Sequence, residues 1–124
     1  MLKAISEYFE EEDVGTVGTD IFCGMMPDQP DNCVALFEYA GSPPDLHWPG
    51  EYPGLQVRVR NTSYPAGRAK IGEVMDLLHG LYEKELGGTR YLLVKARGAP
   101  EVLKRDGSNR IEFFVNFEII KERD

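Results

Sequence analysis

The sequence predicts an α+β fold, in which helices pack on one face of a single, mostly antiparallel or mixed sheet of about five strands. Two segments have apolar residues at helical spacing, and one segment alternates strictly between apolar and polar residues. The remaining apolar stretches are short and bounded by turn residues. The elements follow in the order α-β-β-β-α-β-β without an internal repeat. We therefore expect residues 1–124 to form a single domain.

The two helices are predicted from apolar positions three and four residues apart. The first covers about residues 2–12 and ends in the acidic run 10–13, a charge placement that opposes the helix dipole. The second, main helix covers about residues 66–85 and is ended by Gly87 and Gly88. The apolar positions are Leu2, Ile5, Tyr8 and Phe9 in the first helix, and Ile71, Val74, Met75, Leu78, Leu81 and Tyr82 in the second.

The predicted strands are residues 19–25, 33–39, 55–60, 90–97 and 111–120. The third strand alternates, so Leu55, Val57 and Val59 share one face. Gln56, Arg58 and Arg60 share the opposite face. Because the helices cover only one side of the sheet, we expect this second face to be polar and exposed to solvent, or to pair with a neighbouring molecule.

A long loop, residues 41–54, separates the second and third strands and contains four of the chain's prolines. Loops of this length in small domains are usually functional. The loop also carries His47, Trp48 and Tyr52, and rigid aromatic side chains are typical anchors of protein interfaces. Trp48 either fills the domain's own core or contacts a partner, and the sequence favours neither alternative.

The chain is acidic, with a formal net charge of −7 and a pI near 4.8. Nucleic-acid-binding domains usually have the opposite balance, so DNA binding is disfavoured. The N-terminus resembles no signal peptide and the apolar runs are too short to span a bilayer, so we expect a soluble protein that stays where it is made. Cys23 and Cys33 are expected to be small buried thiols, with disulfide pairing the less favoured alternative.

No constellation of residues predicts catalysis or a cofactor. Cys23, Cys33, His47 and His79 lack the spacing of a metal site, and no serine or cysteine lies at a recognised spacing from either histidine. His79 is interpreted as a surface or helix-end histidine of the main helix. The glycines match neither phosphate-binding pattern. We therefore expect no catalytic residue, no metal and no cofactor.

An ordered set of short motifs runs from Asp20 to Glu118. These motifs are Ile21-Phe22, Pro27-x-x-Pro30-Asp31, Gln56-Val57-x-Val59-Arg60, Tyr64-x-Ala66, Gly107-x-x-Arg110 and Val115-Asn116-Phe117. With this set the chain resembles the minor capsid family of siphophages and prophages, which is similar to the tail-terminator (tail-completion) proteins of long-tailed phages. The resemblance covers most of the chain.

The resemblance implies a non-enzymatic virion protein, made in the host cytoplasm and built into the neck of the particle. Its subunits would form a homo-oligomeric ring, expected to be a hexamer, that caps the tail tube and joins the head connector or stopper. DNA would pass through the lumen without specific binding, and no membrane would be involved. The candidate subunit or partner interface is Trp48, Tyr52, His47, Gln56, Arg58 and Arg60.

Two alternatives stay open at this point. The chain could be another connector, head-completion or tail-tube subunit of the same particle. It could instead be a small enzyme or ligand-binding α+β module that uses His47 and Trp48 in a pocket.

Overall fold

The computed structural model describes residues 1–123. In this part the chain forms two helices and seven strands. The helices are α1 (Leu2–Glu11) and α2 (Tyr64–Leu78). The strands are β1 (Ile21–Cys23), β2 (Cys33–Ser42), β3 (Gly50–Asn61), β4 (Leu81–Leu86), β5 (Thr89–Ala96), β6 (Glu101–Arg105) and β7 (Ile111–Glu122).

All seven strands form one sheet in the order β1-β2-β3-β7-β5-β4, with β6 also paired to β7. The long strand β7 lies at the centre: β3 runs along one side of it, while β5 and β6 share the other side end to end. Among the seven strands of the described residues, only β1 and β2 pair in parallel, so the sheet is mixed. The predicted α+β class is confirmed, but the predicted count of five strands is wrong by two.

The residues of β4 were predicted to belong to the main helix, but that helix ends earlier than predicted. The helix begins at an N-cap, Ser63, whose hydroxyl accepts a hydrogen bond from the Ala66 amide. It ends at Leu78, because His79 adopts extended dihedrals and Gly80 follows at φ +86°. Gly87 and Gly88 both have positive φ and form the two-residue turn of the β4–β5 hairpin rather than a helix stop.

The second extra strand, β6, lies in the predicted connection between the last two strands. Its five residues are all exposed, so they carry no alternation that a sequence pattern could detect. The predicted loop 41–54 is also shorter than expected. Strand β2 continues to Ser42 and β3 begins at Gly50, which leaves a loop over residues 43–49.

The core lies between the sheet and both helices. Helix α2 packs on β3, β7 and β5, whereas α1 contacts β1 and β2 at one edge of the sheet and β4 at the other. The sheet therefore curls around α1. The fully buried large apolar side chains are Ile5, Phe9, Ile21, Leu36, Leu55, Ile71, Leu78, Tyr91, Phe113, Phe117 and Ile119. The aliphatic and phenylalanine side chains among them contribute roughly 1.5–3 kcal/mol each by leaving water.

Both cysteines are free thiols: Cys33 is buried and Cys23 is exposed. The prediction of two buried thiols is therefore wrong for Cys23, because β1 is a three-residue edge strand whose last residue is open to solvent. Burial raises the pKa of the Cys33 thiol. Neither α1 nor α2 has the length and apolar content that a membrane-spanning helix needs.

Candidate assembly surface

The side of the sheet opposite the helices is called the outer face. Strand register brings side chains of three strands into rows on it: Arg58 lies between Ala35 and Phe114, and Gln56 lies between Phe37 and Asn116. Neither helix packs over these rows, since α1 and α2 both contact the sheet from its other side. The outer face is therefore partly apolar and open to solvent.

The outer face carries an arginine whose position is fixed within the subunit. The Gln56 side chain donates to the Asn116 amide oxygen at 3.0 Å and accepts a 2.6 Å hydrogen bond from Nε of Arg58. The guanidinium carbon of Arg58 lies 4.7 Å from the centre of the Phe37 ring, a cation–π arrangement. Arg58 has no carboxylate partner in residues 1–123. A cation oriented in this way can bind an external carboxylate with little further loss of side-chain entropy.

Arg60 belongs to the same face of β3, but its guanidinium is hydrogen-bonded within the subunit. It is 4% exposed, and its guanidinium donates to four backbone carbonyls, those of Pro27, Asp28, Pro30 and Asp31, at 2.6 to 3.2 Å. The interaction orders the segment 27–31. Four hydrogen bonds therefore hold the Arg60 guanidinium within its own subunit.

A second buried arginine, Arg110, fixes the same segment. It pairs with the carboxylates of Asp106, Asp28 and Asp31 at 2.8, 3.0 and 3.4 Å. Partial burial by itself would raise the pKa of Asp106, but hydrogen bonds from Arg110 and Ser108 outweigh it and lower that pKa. Sequence reasoning missed this cluster. The Pro27–Asp31 and Gly107–Arg110 motifs contain most of it, but nothing in their spacing shows that they meet.

The predicted aromatic anchors lie in and beside the loop over residues 43–49, with Trp48 in the loop and Tyr52 in β3. Trp48 is half-buried and lies outside the hydrophobic core: its ring packs on the backbone of Gly50 and lies 6.2 Å from the Tyr52 ring. Leu46 is 91% exposed and His47 is also exposed. Burial, with the neighbouring Asp45 carboxylate, raises the pKa of the Tyr52 hydroxyl. Trp48 thus stiffens the loop without filling the core.

A groove of about 350 Å³ lies on the outer face, between the β2–β3 hairpin and β5. Tyr39 and Tyr52 form one side, where the Tyr39 hydroxyl donates to the Phe117 carbonyl at 3.2 Å. Leu93 and Ile120 contribute apolar surface. The charged side chains that line it are Lys95, Arg97 and Glu118.

No cluster of three metal-ligating side chains occurs among residues 1–123. His79 has a structural role, because its Nδ1 accepts a 2.9 Å hydrogen bond from the Ala96 amide. This bond holds the end of α2 against β5.

Comparison with known families identifies the chain's relatives. The model of a family described as bacteriophage tail terminator protein matches residues 8–123. The chain belongs to this family of bacteriophage tail terminator proteins. It is therefore a structural, non-enzymatic protein of the phage virion, at the tail or neck of the particle.

A solved structure has a similar fold. A chain in the virion of a native gene transfer agent particle superposes with a TM-score of 0.67 at 16% identity, covering 86% of this tail terminator family member and 81% of that chain. The search of curated proteins found no match to the present chain. The fold of this tail terminator is thus one that a phage-like particle also contains.

Proposed function

We propose that this single-domain protein closes the tail of a long-tailed phage, at the head–tail junction, as a ring of six subunits. The ring caps the tail tube and joins it to the head connector or stopper, the position that its resemblance to the minor capsid family also implies. Family membership supports a role at the tail. The ring and its stoichiometry are our inference.

One structural observation carries the proposal that the subunit works in an assembly. The outer face keeps Arg58 oriented and without a carboxylate partner in the described chain, next to the half-buried rings of Phe37 and Phe114. An arginine and aromatic side chains on an uncovered sheet face are typical of interface centres. We propose that Gln56, Arg58 and Tyr52 of β3, together with the loop residues His47 and Trp48, contact neighbouring subunits or the tail tube.

The charge of the chain suits a ring around DNA. With a net charge of −7, six copies would repel rather than bind a phosphate backbone. DNA would then pass through the lumen without specific contacts. A lumen lined by exposed arginines and lysines in the assembled particle would contradict this part of the proposal.

Electron microscopy of the purified protein mixed with tail tubes tests the proposal. We expect single rings at one end of each tube, and none along its length. Filaments formed by the protein alone would indicate a tail-tube subunit instead. Binding to connectors but not to tubes would indicate a head-completion protein.

A further inference from the structure

We infer that the groove on the outer face receives the acidic end of α1 from a second copy of this chain, in a head-to-tail contact. The inference rests on the proposed function, because it names the surfaces through which the ring would form. The groove is the one lined by Tyr39, Tyr52, Leu93, Lys95 and Arg97. The acidic segment is Glu11–Asp13, which begins with the last residue of α1 and continues through its C-cap, Glu12.

The groove has more positive than negative charge, in a chain that is strongly acidic. Two cations, Lys95 and Arg97, line it with one carboxylate, Glu118. Arg97 approaches Glu118 only to 4.0 Å, and Lys95 forms no ion pair within residues 1–123. The apolar side chains of Leu93 and Ile120 lie half-buried beside these cations. A segment with several carboxylates and an apolar or aliphatic stem fits this surface.

The acidic segment has carboxylates that the subunit itself does not neutralise. Glu11, Glu12 and Asp13 are exposed and form no ion pair with any described residue. They lie at the C-terminal end of α1, where negative charge is destabilising because the helix dipole is also negative there. Cations of a neighbouring subunit would remove this destabilisation.

The two surfaces lie on opposite sides of the molecule. The groove is on the outer face, whereas α1 packs on the other face, and Glu12 borders a depression beside Arg68 and Asp76 of α2. A subunit therefore cannot place its own acidic segment in its own groove. Contact between two different patches on successive copies is heterologous, and heterologous contacts close into rings when the rotation between copies is a whole fraction of a turn.

Complementary charge reversal tests the inference with the full chain. Variant one carries Lys95→Glu and Arg97→Glu; variant two carries Glu11→Lys, Glu12→Lys and Asp13→Lys. We expect each variant alone to associate at least about tenfold more weakly than wild type in sedimentation velocity at low salt. Mixed in equal amounts, the two variants should assemble again, because each restores the opposite charge for the other in an alternating ring of even number.

The control is Arg105→Glu, which reverses an exposed charge on β6, outside both surfaces, and should associate like wild type. Circular dichroism of each variant establishes that it is folded, and recovery in the mixture is itself possible only for folded subunits. Undiminished association of either variant, or no recovery in the mixture, would overturn the inference. A wild-type protein that forms no ring even on tail tubes would instead overturn the proposed function.

Discussion

Arg58 lies over the ring of Phe37, with its guanidinium carbon 4.7 Å from the ring centre, and Gln56 holds its Nε at 2.6 Å. Strand pairing alone produces this arrangement, because Phe37 and Gln56 are cross-strand partners and Arg58 is two residues further along β3. The cation is ordered by its own subunit yet open to solvent. This combination distinguishes Arg58 from Arg60, which is two residues away.

Arg58→Ala is expected to weaken assembly while leaving the subunit nearly as stable as wild type. The side chain is half-exposed, so the loss in free energy of unfolding should be below about 1 kcal/mol. Ring formation on tail tubes should fall by about tenfold, because truncated interface arginines commonly cost this much. Arg105→Ala, which truncates an exposed arginine of β6, is the matched control. Equal ring formation by the two variants would remove Arg58 from the interface.

Arg60→Met is expected to have the opposite effect, because its partners are internal. Loss of the guanidinium leaves carbonyls of the segment 27–31 without donors in a nearly buried site, which should lower the free energy of unfolding by about 3 kcal/mol. Urea denaturation monitored by fluorescence measures the change. A loss below about 1 kcal/mol would mean that water replaces the arginine.

The cluster around Arg110 predicts loss of stability in acid. Because the pKa of Asp106 is lower in the folded chain than its ordinary value of 3.8, the carboxylate stabilises the fold above that value. Its contribution should disappear as the pH falls through the folded pKa. Asp106→Asn should flatten the dependence of stability on pH below about pH 4. An unchanged slope in the variant would contradict the assignment.

Trp48→Ala is expected to weaken assembly more than folding. The ring contacts Gly50 and Tyr52 of its own hairpin and none of the buried core, so thermal stability should fall only slightly. Joining of tails to heads should fall substantially, because the loop loses its rigid anchor. Wild-type tail joining with a clearly lowered melting temperature would give Trp48 a purely structural role.

Local patterns in the sequence predicted much of this fold. Apolar spacing located α1 within one residue at each end, and the alternation of Leu55–Arg60 separated the two faces of β3 correctly. The end of α2 was missed because Leu81 and Tyr82 continue the helical spacing by coincidence, although Gly80 interrupts it. The apolar pattern outweighed a single glycine.

The candidate surface was less accessible to sequence reasoning. Alternation put Gln56, Arg58 and Arg60 on one face but could not separate an exposed arginine from a buried one. That difference arises because the segment 27–31, some thirty residues earlier in the chain, folds over Arg60 and not over Arg58. The groove likewise forms only where β2, β3, β5 and β7 come together, and a local sequence pattern cannot predict that these strands meet.

The most direct test of the central claim is the mass of the assembled species at the tail end. Six subunits of 14.0 kDa correspond to about 84 kDa, measurable by native mass spectrometry of the protein released from capped tubes under mild conditions. We predict one discrete species at that mass. A continuous series of masses, or subunits only, would contradict a closed ring.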